Sequence, residues 1–560
     1  MSGAVFRVVT QEQILQSEHN EDIATTESNE RSISRWISFA LLLVVLFLFA
    51  GIRWRLRDMP LERDEGEYAY SGQLILQGVP PYQLAYNMKL PGTYYAYAVI
   101  MRVFGETAAG IHLGVLLVNG ITTLLVFFLA RRLYGALPAV VAAAGFALLS
   151  TSEAALGLAG HATHFVVLMA VPGLLFLLAA RESQGLAKVF AAGLFMGLAF
   201  LMKQPGIVFI IFGAQEIVLQ GWKQASGLKK VAARLGAYAV GVVIPYLLTC
   251  AVLYRAGVFG KFWFWTVSYA REYGTSLGPA AGLKNLVLFG ADRLSGGPVV
   301  WCFALIGIVA AVLELRAKAL LSFEIGLLIW SFLGVSVGFY YREHYFIVLF
   351  PAVALLAAQG VKWCGEQLSR RVRIKGIITV PAIVFAAGFL LAFYAQRAEF
   401  FQLNAQQVVR HQYGGNPFPE AVEFGKYIRE HSDADAKIAV LGSEPEICFY
   451  AQRRSATGYI YTYPLMEEQR YASRMQQEMM EEIEAAKPEY LVGVLVAQSW
   501  LRRPGSDTAI LAWAQKYIAD HYRVVGVADI ALATTYRWDE QAAGYVPRSN
   551  YSMILYKRKI

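Results

Sequence analysis

The segment LERDEGEYAY at residues 61–70 decides the architecture, because it places four carboxylates and an arginine directly after an apolar stretch long enough to span a membrane. A second polar segment, NMKLPG, follows at residues 87–92. Ionisable groups are costly to keep at a membrane, so a cluster of them usually marks a functional site. The alternative interpretation is a solvated loop between two spans, and the rest of the chain has to distinguish the two.

The composition is that of a membrane protein. The chain has 560 residues, of which 56% are hydrophobic and 16% charged, and its mean hydropathy is +0.43. Soluble globular proteins carry about 25% charged residues. The net charge of +9 comes from basic residues scattered over short loops, which excludes a nucleic-acid-binding patch and is typical of membrane orientation. The cysteines show no metal-ligand spacing, and the polar C-terminal part contains only Cys448, so it has no internal disulfide.

Apolar runs of about 20 residues are long enough to form membrane-spanning helices. About eleven such runs follow a polar N-terminal segment, residues 1–35, which predicts a cytoplasmic tail. The predicted spans lie at residues 36–53, 108–130, 137–158, 162–180, 188–202, 205–220, 235–254, 298–314, 320–339, 345–362 and 376–395. We therefore expect an α-helical polytopic membrane domain over residues 36–395.

The charges between the spans predict the orientation. With the N-terminus inside, every cytoplasmic connection is basic, as at Arg131-Arg132 and in residues 370–375, which the positive-inside rule requires. An odd number of spans then places everything after about residue 396 outside, and the predicted location is the plasma membrane. Several cations nevertheless lie in the outer loops, which suggests an anionic ligand such as a phosphate at the membrane surface.

After residue 396 the hydropathy falls, and strand patterns alternate with helix patterns. Helices are predicted near 419–431, 466–486 and 507–521, and strands at Lys437–Leu441, Tyr490–Val496, Arg523–Val527 and Ser552–Tyr556. This alternation predicts a small extracytoplasmic α/β domain over residues 396–560.

Membrane parity places a set of charged side chains on the same outer face. The set consists of Asp64, Glu65, Glu67, Lys89, His161, His164, Lys203, Arg271, Glu272, Arg342, Glu343 and His344. A carboxylate can accept a proton from an attacking hydroxyl. Lysine and arginine can hold a phosphate and stabilise the charge it gains as it leaves. Such a set suits transfer from a lipid-linked phosphate donor.

Some members of the set have an alternative interpretation. His161 and His164 lie three residues apart on one helical face, which suits either a metal ion or interfacial hydrogen bonds. Glu343 and His344 suit a structural pair as well as a catalytic one. Glu67 is expected to be a solvated helix position.

These motifs resemble those of the polytopic glycosyltransferases with a GT-C fold, the group of the protein O-mannosyltransferases and the lipid A aminoarabinose transferases. DEGEY at residues 64–68 resembles the acidic pair of that family, and Lys89-Leu90-Pro91 keeps the lysine and one proline of its Lys-Pro-Pro motif. LMKQP at residues 201–205 resembles its Lys-Gly-Pro turn, and ARRLYG at residues 130–135 the end of its second span. The resemblance covers about residues 36–365.

The resemblance implies a polyprenyl-phosphate sugar donor, an extracytoplasmic acceptor and inversion at the anomeric carbon. Asp64 would be the general base, and Glu65 would position the site. Lys89 and Lys203 would contact the donor phosphate. The other predicted substrate contacts are Tyr68, Arg271, Arg342 and His344. No residue is assigned to a metal and no cofactor is assigned, although a divalent cation stays open; the expected partners are the donor, the acceptor and membrane lipids.

Two other functions fit a polytopic chain. A transporter or flippase of a lipid-linked sugar would usually place charged or interrupted helices near the bilayer midplane, often in two matching halves. This chain keeps most of its charges in the outer loops and shows no such halves. A structural scaffold whose outer domain binds polymer is a third interpretation, but it gives the acidic loop no purpose.

Overall fold

The computed structural model describes residues 36–183, 185–318, 323–374, 376–531 and 533–559. The predicted cytoplasmic tail, residues 1–35, lies outside the described residues. The described chain forms a long helical part followed by a smaller part that contains a β-sheet, which is the fold class that the sequence predicts.

Helices occupy the first part because an apolar segment in lipid must satisfy its backbone hydrogen bonds within itself. In chain order they are α1 Trp36–Arg55, α2 Arg63–Leu76, α3 Gly92–Phe104, α4 Ala108–Tyr134, α5 Ala136–Leu149, α6 Ala162–Ser183, α7 Leu186–Met202, α8 Ile207–Lys223, α9 Leu228–Arg255, α10 Phe259–Trp263, α11 Ala270–Gly274, α12 Pro279–Ser295, α13 Pro298–Lys318, α14 Phe323–Ser336, α15 Phe350–Arg371 and α16 Val380–Ala395.

Every predicted span overlaps one of these helices, but the helices differ in length. Within the described ranges, six are long and apolar enough to cross a membrane, and α12 with α13, bent by 110° at their junction, counts as a seventh if the pair forms one span. The apolar helices α5, α7 and Phe323–Phe339 are shorter. The protein is therefore integral to the membrane, whereas the predicted number of about eleven spans is not confirmed.

Helix α15 lies at the centre of the first part. Residues 350–361 are buried, and the helix packs against α13 and α5. Gly307 on α13 and Gly360 on α15 permit this approach, because a Cβ atom at either position would overlap a backbone carbonyl of the other helix. Small residues at such contacts let membrane helices approach closely.

The second part alternates helices and strands. Its helices are α17 Ala405–Tyr413, α18 Phe418–Glu430, α19 Glu446–Ala451, α20 Tyr463–Met466, α21 Ala472–Ala486, α22 Ala497–Trp500 and α23 Ala509–His521. Its strands are β1 Lys437–Leu441, β2 Arg454–Ser455, β3 Tyr490–Leu495, β4 Tyr522–Asp529, β5 Thr535–Trp538 and β6 Ser552–Arg558.

These strands form one mixed sheet in the order β2-β1-β3-β6-β4-β5. Strand β1 pairs in parallel with β2 and β3, whereas β6 runs antiparallel to both β3 and β4. The predicted strands correspond to β1, β3, β4 and β6. The two that the sequence did not reveal are the edge strands, because β2 has only two residues and β5 is half-buried along its length.

The two parts share an apolar core. Tyr68 and Tyr70 of α2 belong to the same cluster of buried side chains as Ile447 and Phe449 of α19. Helix α2, which carries the acidic segment, therefore lies between the membrane helices and the sheet. The charged residues of the first loop are held at this junction.

Candidate active site

Helix α2 begins with a reciprocal cap made by two carboxylates. Glu62 Oε1 accepts a hydrogen bond of 2.9 Å from the backbone N–H of Glu65, and Glu65 Oε2 accepts one of 3.4 Å from that of Glu62. The cap fixes the start of the helix. Because helix neighbours lie three or four residues apart, Asp64 and Glu67 share a face and Glu65 lies on another.

The N-terminus of α2 is anchored to the outer part. The guanidinium of Arg63 donates to the carbonyl oxygen of Ser443 at 2.7 Å and to Glu444 Oε1 at 2.8 Å. One turn on, a Cβ atom at Gly66 would lie within 2.8 Å of the backbone nitrogen of Glu446, so only glycine permits this contact. The turn after β1, residues 442–445, thus positions the acidic helix.

Lys89 lies between two carboxylates of α2. Its Nζ donates to Asp64 Oδ1 at 2.9 Å and to Glu67 Oε2 at 2.7 Å. The ring of Tyr68 lies beneath the ammonium, with 4.7 Å between Nζ and the ring centroid. The positive charge of Lys89 is therefore offset by side chains of the protein itself.

The prediction that Glu67 is a solvated helix position is wrong. Its side chain is completely buried, and its Oε1 accepts a hydrogen bond of 2.5 Å from the hydroxyl of Tyr94. A buried carboxylate needs such partners because it has lost its hydration. The i, i+3 spacing from Asp64, with a lysine twenty-odd residues on, is the sequence signal that could have revealed this role.

Glu65 faces away from Asp64 and holds the loop before α6. Its Oε1 accepts the backbone N–H of Gly160 at 2.5 Å and lies 3.1 Å from His112 Nε2. Burial opposes ionisation, but His112 and the Gly160 N–H together hold the pKa of Glu65 below its ordinary value. Glu65 therefore holds the loop before α6 in place and does not line the cavity.

Asp64 is the carboxylate that reaches open space. Its side chain keeps 23% of its surface exposed, and its Oδ2 lies 3.8 Å from His344 Nε2. Burial alone would raise its pKa, but Lys89 and then His344 and Lys203 hold the pKa of Asp64 well below its ordinary value. Asp64 is therefore ionised at neutral pH and can accept a hydrogen bond or a proton.

A cavity of about 220 Å³ lies in front of Asp64. The membrane part lines it with Asp64, Asn87, Met88, Lys89, Lys203, Gln204, Pro205, Tyr269, Ala270, Tyr273, Gly274, Val337, Gly338, Tyr340, Arg342, His344 and Tyr345. The structure thus brings together residues from the first loop, the turn before α8 and the segment before α15. Four predicted site residues besides Asp64 line this cavity: Lys89, Lys203, Arg342 and His344.

Two cations on the membrane side of the cavity, Lys203 and Arg342, have no carboxylate partner within ion-pair distance in the described parts of the chain. Lys203 Nζ lies 4.2 Å from the centroid of the Tyr345 ring, and the guanidinium carbon of Arg342 lies 5.7 Å from that of Tyr340. Burial is the main cause that lowers the pKa of Lys203 to about 7, with Asp64 opposing it and Lys89 adding to it. An anion that entered the cavity would raise the pKa of Lys203, so the lysine would bind it as a fully protonated ammonium group.

The outer part supplies the opposite wall. Tyr461, Tyr463, Pro464, Glu467, Leu501 and Arg503 line the cavity from that side. The rings of Tyr461 and Tyr463 are parallel within 8° at 5.6 Å, and the Tyr461 hydroxyl donates to the carbonyl oxygen of Arg63 at 3.0 Å. These residues could not be found from the sequence, because nothing around Tyr461 links it to a helix almost 400 positions earlier.

Other predicted residues lie outside the cavity. Arg271 is exposed, and Tyr68 is buried under Lys89; neither lines the cavity. Glu343 Oε1 lies 3.2 Å from the guanidinium of Arg293, so it pairs with α12. His164 Nε2 lies 3.1 Å from the carbonyl oxygen of Gly157, which matches the hydrogen-bonded alternative.

His161 and His344 extend the site beside Asp64. Their rings are stacked at 4.1 Å, and one ligand atom each from Asp64, His161 and His344 lie within 4.8 Å of one another. Neither ring nitrogen of the buried His161 has a hydrogen-bond partner within the described residues. Two imidazoles and a carboxylate are a donor set that suits a divalent cation.

A bundle of membrane helices, an acidic helix after the first span and a C-terminal sheet part define a polytopic membrane protein with an α/β part. Residues 88–251 match the family model of dolichyl-phosphate-mannose-protein mannosyltransferases. No curated protein matches the sequence significantly.

Solved structures of GT-C enzymes share the architecture. ArnT from Cupriavidus metallidurans in the apo state matches with a TM-score of 0.56 and 15% identity, over 94% of this chain and 98% of that one. The same enzyme bound to undecaprenyl phosphate matches with a TM-score of 0.55 and 15% identity, over 93% of this chain and 97% of that one. A third match is the archaeal oligosaccharyltransferase AglB from Archaeoglobus fulgidus in complex with an inhibitory peptide and a dolichol-phosphate. Its TM-score is 0.50 and its identity 13%, over 94% of this chain and 76% of that one. The chain has the GT-C fold of the polytopic membrane glycosyltransferases, and the resemblance that its motifs show is confirmed.

Proposed function

We propose that the chain transfers one sugar from a polyprenyl-phosphate-linked donor to an acceptor on the outer face of the membrane, with inversion. The observation that carries the proposal is the cavity in which an ionised carboxylate, Asp64, faces Lys203 and Arg342, two cations free of carboxylate partners among the described residues. A base and free phosphate-binding cations are the two functions that glycosyl transfer from a phosphate requires.

In the proposed step, an acceptor hydroxyl attacks the anomeric carbon from the side opposite the phosphate. Asp64 accepts the proton of that hydroxyl, a new glycosidic C–O bond forms, and the bond between the anomeric carbon and the phosphate oxygen breaks. The polyprenyl phosphate leaves with the electron pair. Lys203 and Arg342 stabilise the negative charge that it gains.

The outer part has a role in this proposal as the acceptor side of the site. The stacked rings of Tyr461 and Tyr463 present apolar faces next to the cavity, and sugar rings bind against such faces through their C–H groups. Glu467 and Arg503 add polar groups on the same wall. The sequence-based orientation, with the N-terminus in the cytoplasm and the α/β part outside, completes the proposal by placing this wall away from the cytoplasm.

The sequence neither requires nor excludes a divalent cation. We propose that, if one binds, Asp64, His161 and His344 hold it. When bound there it would supply a positive charge beside the reacting centre. Lys203 and Arg342 fulfil the phosphate-binding role without it. Activity that is unchanged after EDTA treatment would remove the cation from the proposal and leave the roles of the other residues intact.

The test is transfer by membranes that contain the full chain. They are incubated with undecaprenyl-phosphate carrying a radiolabelled sugar, across a panel of sugars, and label is measured in lipid, glycan and protein fractions. The Asp64→Asn variant keeps the shape of the side chain but loses the base, so transfer should fall by about 10²- to 10⁴-fold.

The matched control is Asp292→Asn, which changes an exposed aspartate of α12 outside the cavity and should leave transfer unchanged. Full transfer by Asp64→Asn would refute the assignment of the base. Flux of the lipid-linked sugar across reconstituted vesicles without any new glycosidic product would instead support the transporter interpretation and overturn the proposed function.

A further inference from the structure

A second cluster of potential metal ligands lies outside the cavity. One ligand atom each from Glu153, Glu399 and His411 lie within 4.8 Å of one another, and His411 Nε2 is 3.1 Å from Glu153 Oε1. Glu153 belongs to the short turn after α5, Glu399 to the segment just after α16, and His411 to α17. Three separate segments of the chain therefore converge here.

The buried carboxylate of this cluster is incompletely satisfied. Glu399 is only 2% exposed, and its Oε2 has no hydrogen-bond partner among the described residues. Its Oε1 accepts a hydrogen bond of 3.1 Å from Gln412 Nε2, and the Oε1 atom of Gln412 is likewise buried without a partner. Buried polar atoms in native proteins are normally paired, so unpaired oxygen atoms on two side chains that hydrogen-bond each other indicate a missing electropositive partner.

Among the described residues, no lysine or arginine side chain takes that place. The guanidinium of Arg55 lies close by, but it donates to the backbone carbonyl oxygens of residues 399, 400 and 403 and not to the carboxylate. Burial, and then the neighbouring Glu153, raise the pKa of Glu399 to about 7. Two carboxylates this close repel each other unless a positive charge lies between them.

We propose that Glu153, Glu399 and His411 bind a divalent cation, with Zn²⁺ as the preferred ion. One imidazole nitrogen and two carboxylate oxygens are common protein ligands of Zn²⁺. Mg²⁺ fits less well, because it prefers oxygen ligands and retains several waters. The Gln412 side chain, already bonded to Glu399, holds that ligand in place, as hydrogen-bond partners of metal ligands commonly do.

The ion would connect the loop before α6, which holds Glu65 and Arg53, to the outer part. Glu153 lies in the loop whose Gly160 N–H binds Glu65 and whose Gly157 carbonyl accepts from Arg53 at 2.7 Å. His411 lies in the first helix of the outer part. Binding would therefore fix the loop before α6 relative to α17, at a place separate from the Asp64 cavity.

The experiment measures metal binding by the full chain in detergent. The purified protein is stripped with EDTA, dialysed, and titrated with Zn²⁺, Mn²⁺ or Ca²⁺; bound metal and the apparent melting temperature are recorded. The test variant is His411→Ala, whose side chain is 53% exposed and can be removed without loss of folding. The matched control is His521→Ala, an exposed histidine at the end of α23. Because Asp64, His161 and His344 form another candidate site, all titrations are repeated in a His344→Ala background.

In both backgrounds, His411→Ala should bind one equivalent of Zn²⁺ less than its parent, or bind it at least about tenfold more weakly, and should lose part of the rise in melting temperature. Glu399→Gln should do the same, and His521→Ala should behave as its parent. Equal stoichiometry, affinity and thermal response for His411→Ala and its parent would overturn the proposal. So would binding of Zn²⁺ only at concentrations above about a millimolar, far outside the range of dedicated protein sites.

Discussion

The loop that carries Lys89 and the turn that carries Lys203 both bring a lysine to the same cavity, but the two lysines are in opposite electrostatic situations. Lys89 donates to Asp64 and Glu67, so its charge is balanced by the protein. Lys203 contacts the ring of Tyr345 and is left without a carboxylate partner among the described residues. Burial disfavours both charges. At Lys89 the two carboxylates, Asp64 and Glu67, outweigh burial and hold the pKa well above its ordinary value, whereas at Lys203 burial prevails and lowers the pKa to about 7.

From the sequence, both lysines were expected to contact the donor phosphate, and this difference assigns them separate functions. A cation held by two carboxylates organises them, and it can bind a further anion only by giving up those partners. A buried cation without a partner gains most from an arriving anion. We therefore expect Lys89 to set the position and ionisation of Asp64, and Lys203 to contribute binding energy to the donor phosphate.

The largest effect that this comparison predicts is that of Lys89→Met. The variant leaves Glu67 completely buried without its counter-ion, and removing one partner of a buried ion pair costs about 3–5 kcal/mol. The apparent melting temperature in detergent should fall sharply, and transfer should be lost with it. Thermal unfolding followed by intrinsic fluorescence measures the first effect.

A second substitution makes this prediction specific. In the double variant Lys89→Met with Glu67→Gln, the uncompensated charge is gone, so most of the thermal stability should return while transfer stays low. A double variant no more stable than Lys89→Met alone would show that the charge balance between these two residues is not what Lys89 contributes.

Lys203→Met should have a smaller effect of a different kind. No buried carboxylate is left unpaired, so the melting temperature should not fall. A hydrogen bond to a charged group contributes about 1.5–3 kcal/mol, which corresponds to roughly a 10- to 150-fold rise in KM for the polyprenyl-phosphate donor. If Lys203→Met instead lowered the melting temperature as much as Lys89→Met and left the KM for the donor unchanged, the two lysines would not have the separate functions proposed.

Much of this site could be foreseen from the sequence, for identifiable physical reasons. The spans and the acidic segment are local features of hydropathy and charge, and membrane parity alone put Asp64, Lys89, Lys203 and Arg342 on one face. Parity cannot tell which side chain of a helix faces the cavity. That depends on the helix period, which separates Asp64 from Glu65 and unites it with Glu67.

The contacts between the two parts could not be foreseen. Arg63 bonds to Glu444, and Gly66 packs against Glu446, across almost 400 residues of chain. No periodicity or spacing connects positions that far apart. The second wall of the cavity, with Tyr461 and Tyr463, follows from the same long-range docking and was missed for the same reason.

The smallest predicted effect, that of Glu67→Gln alone, tests how far the balance around Lys89 extends. Glutamine keeps one acceptor oxygen for the Tyr94 hydroxyl, but its other group is an NH2 donor, so Lys89 loses one of its two acceptors and a negative charge. The exchange should cost on the order of 1 kcal/mol, measured as a lowered melting temperature, and should reduce transfer only modestly because Asp64 still holds the ammonium. Glu430→Gln, at the exposed end of α18, provides the reference for a carboxylate in water and should change neither quantity. If the two variants melted alike, Glu67 would contribute nothing to the charge balance, and the role assigned to Lys89 would then rest on Asp64 alone.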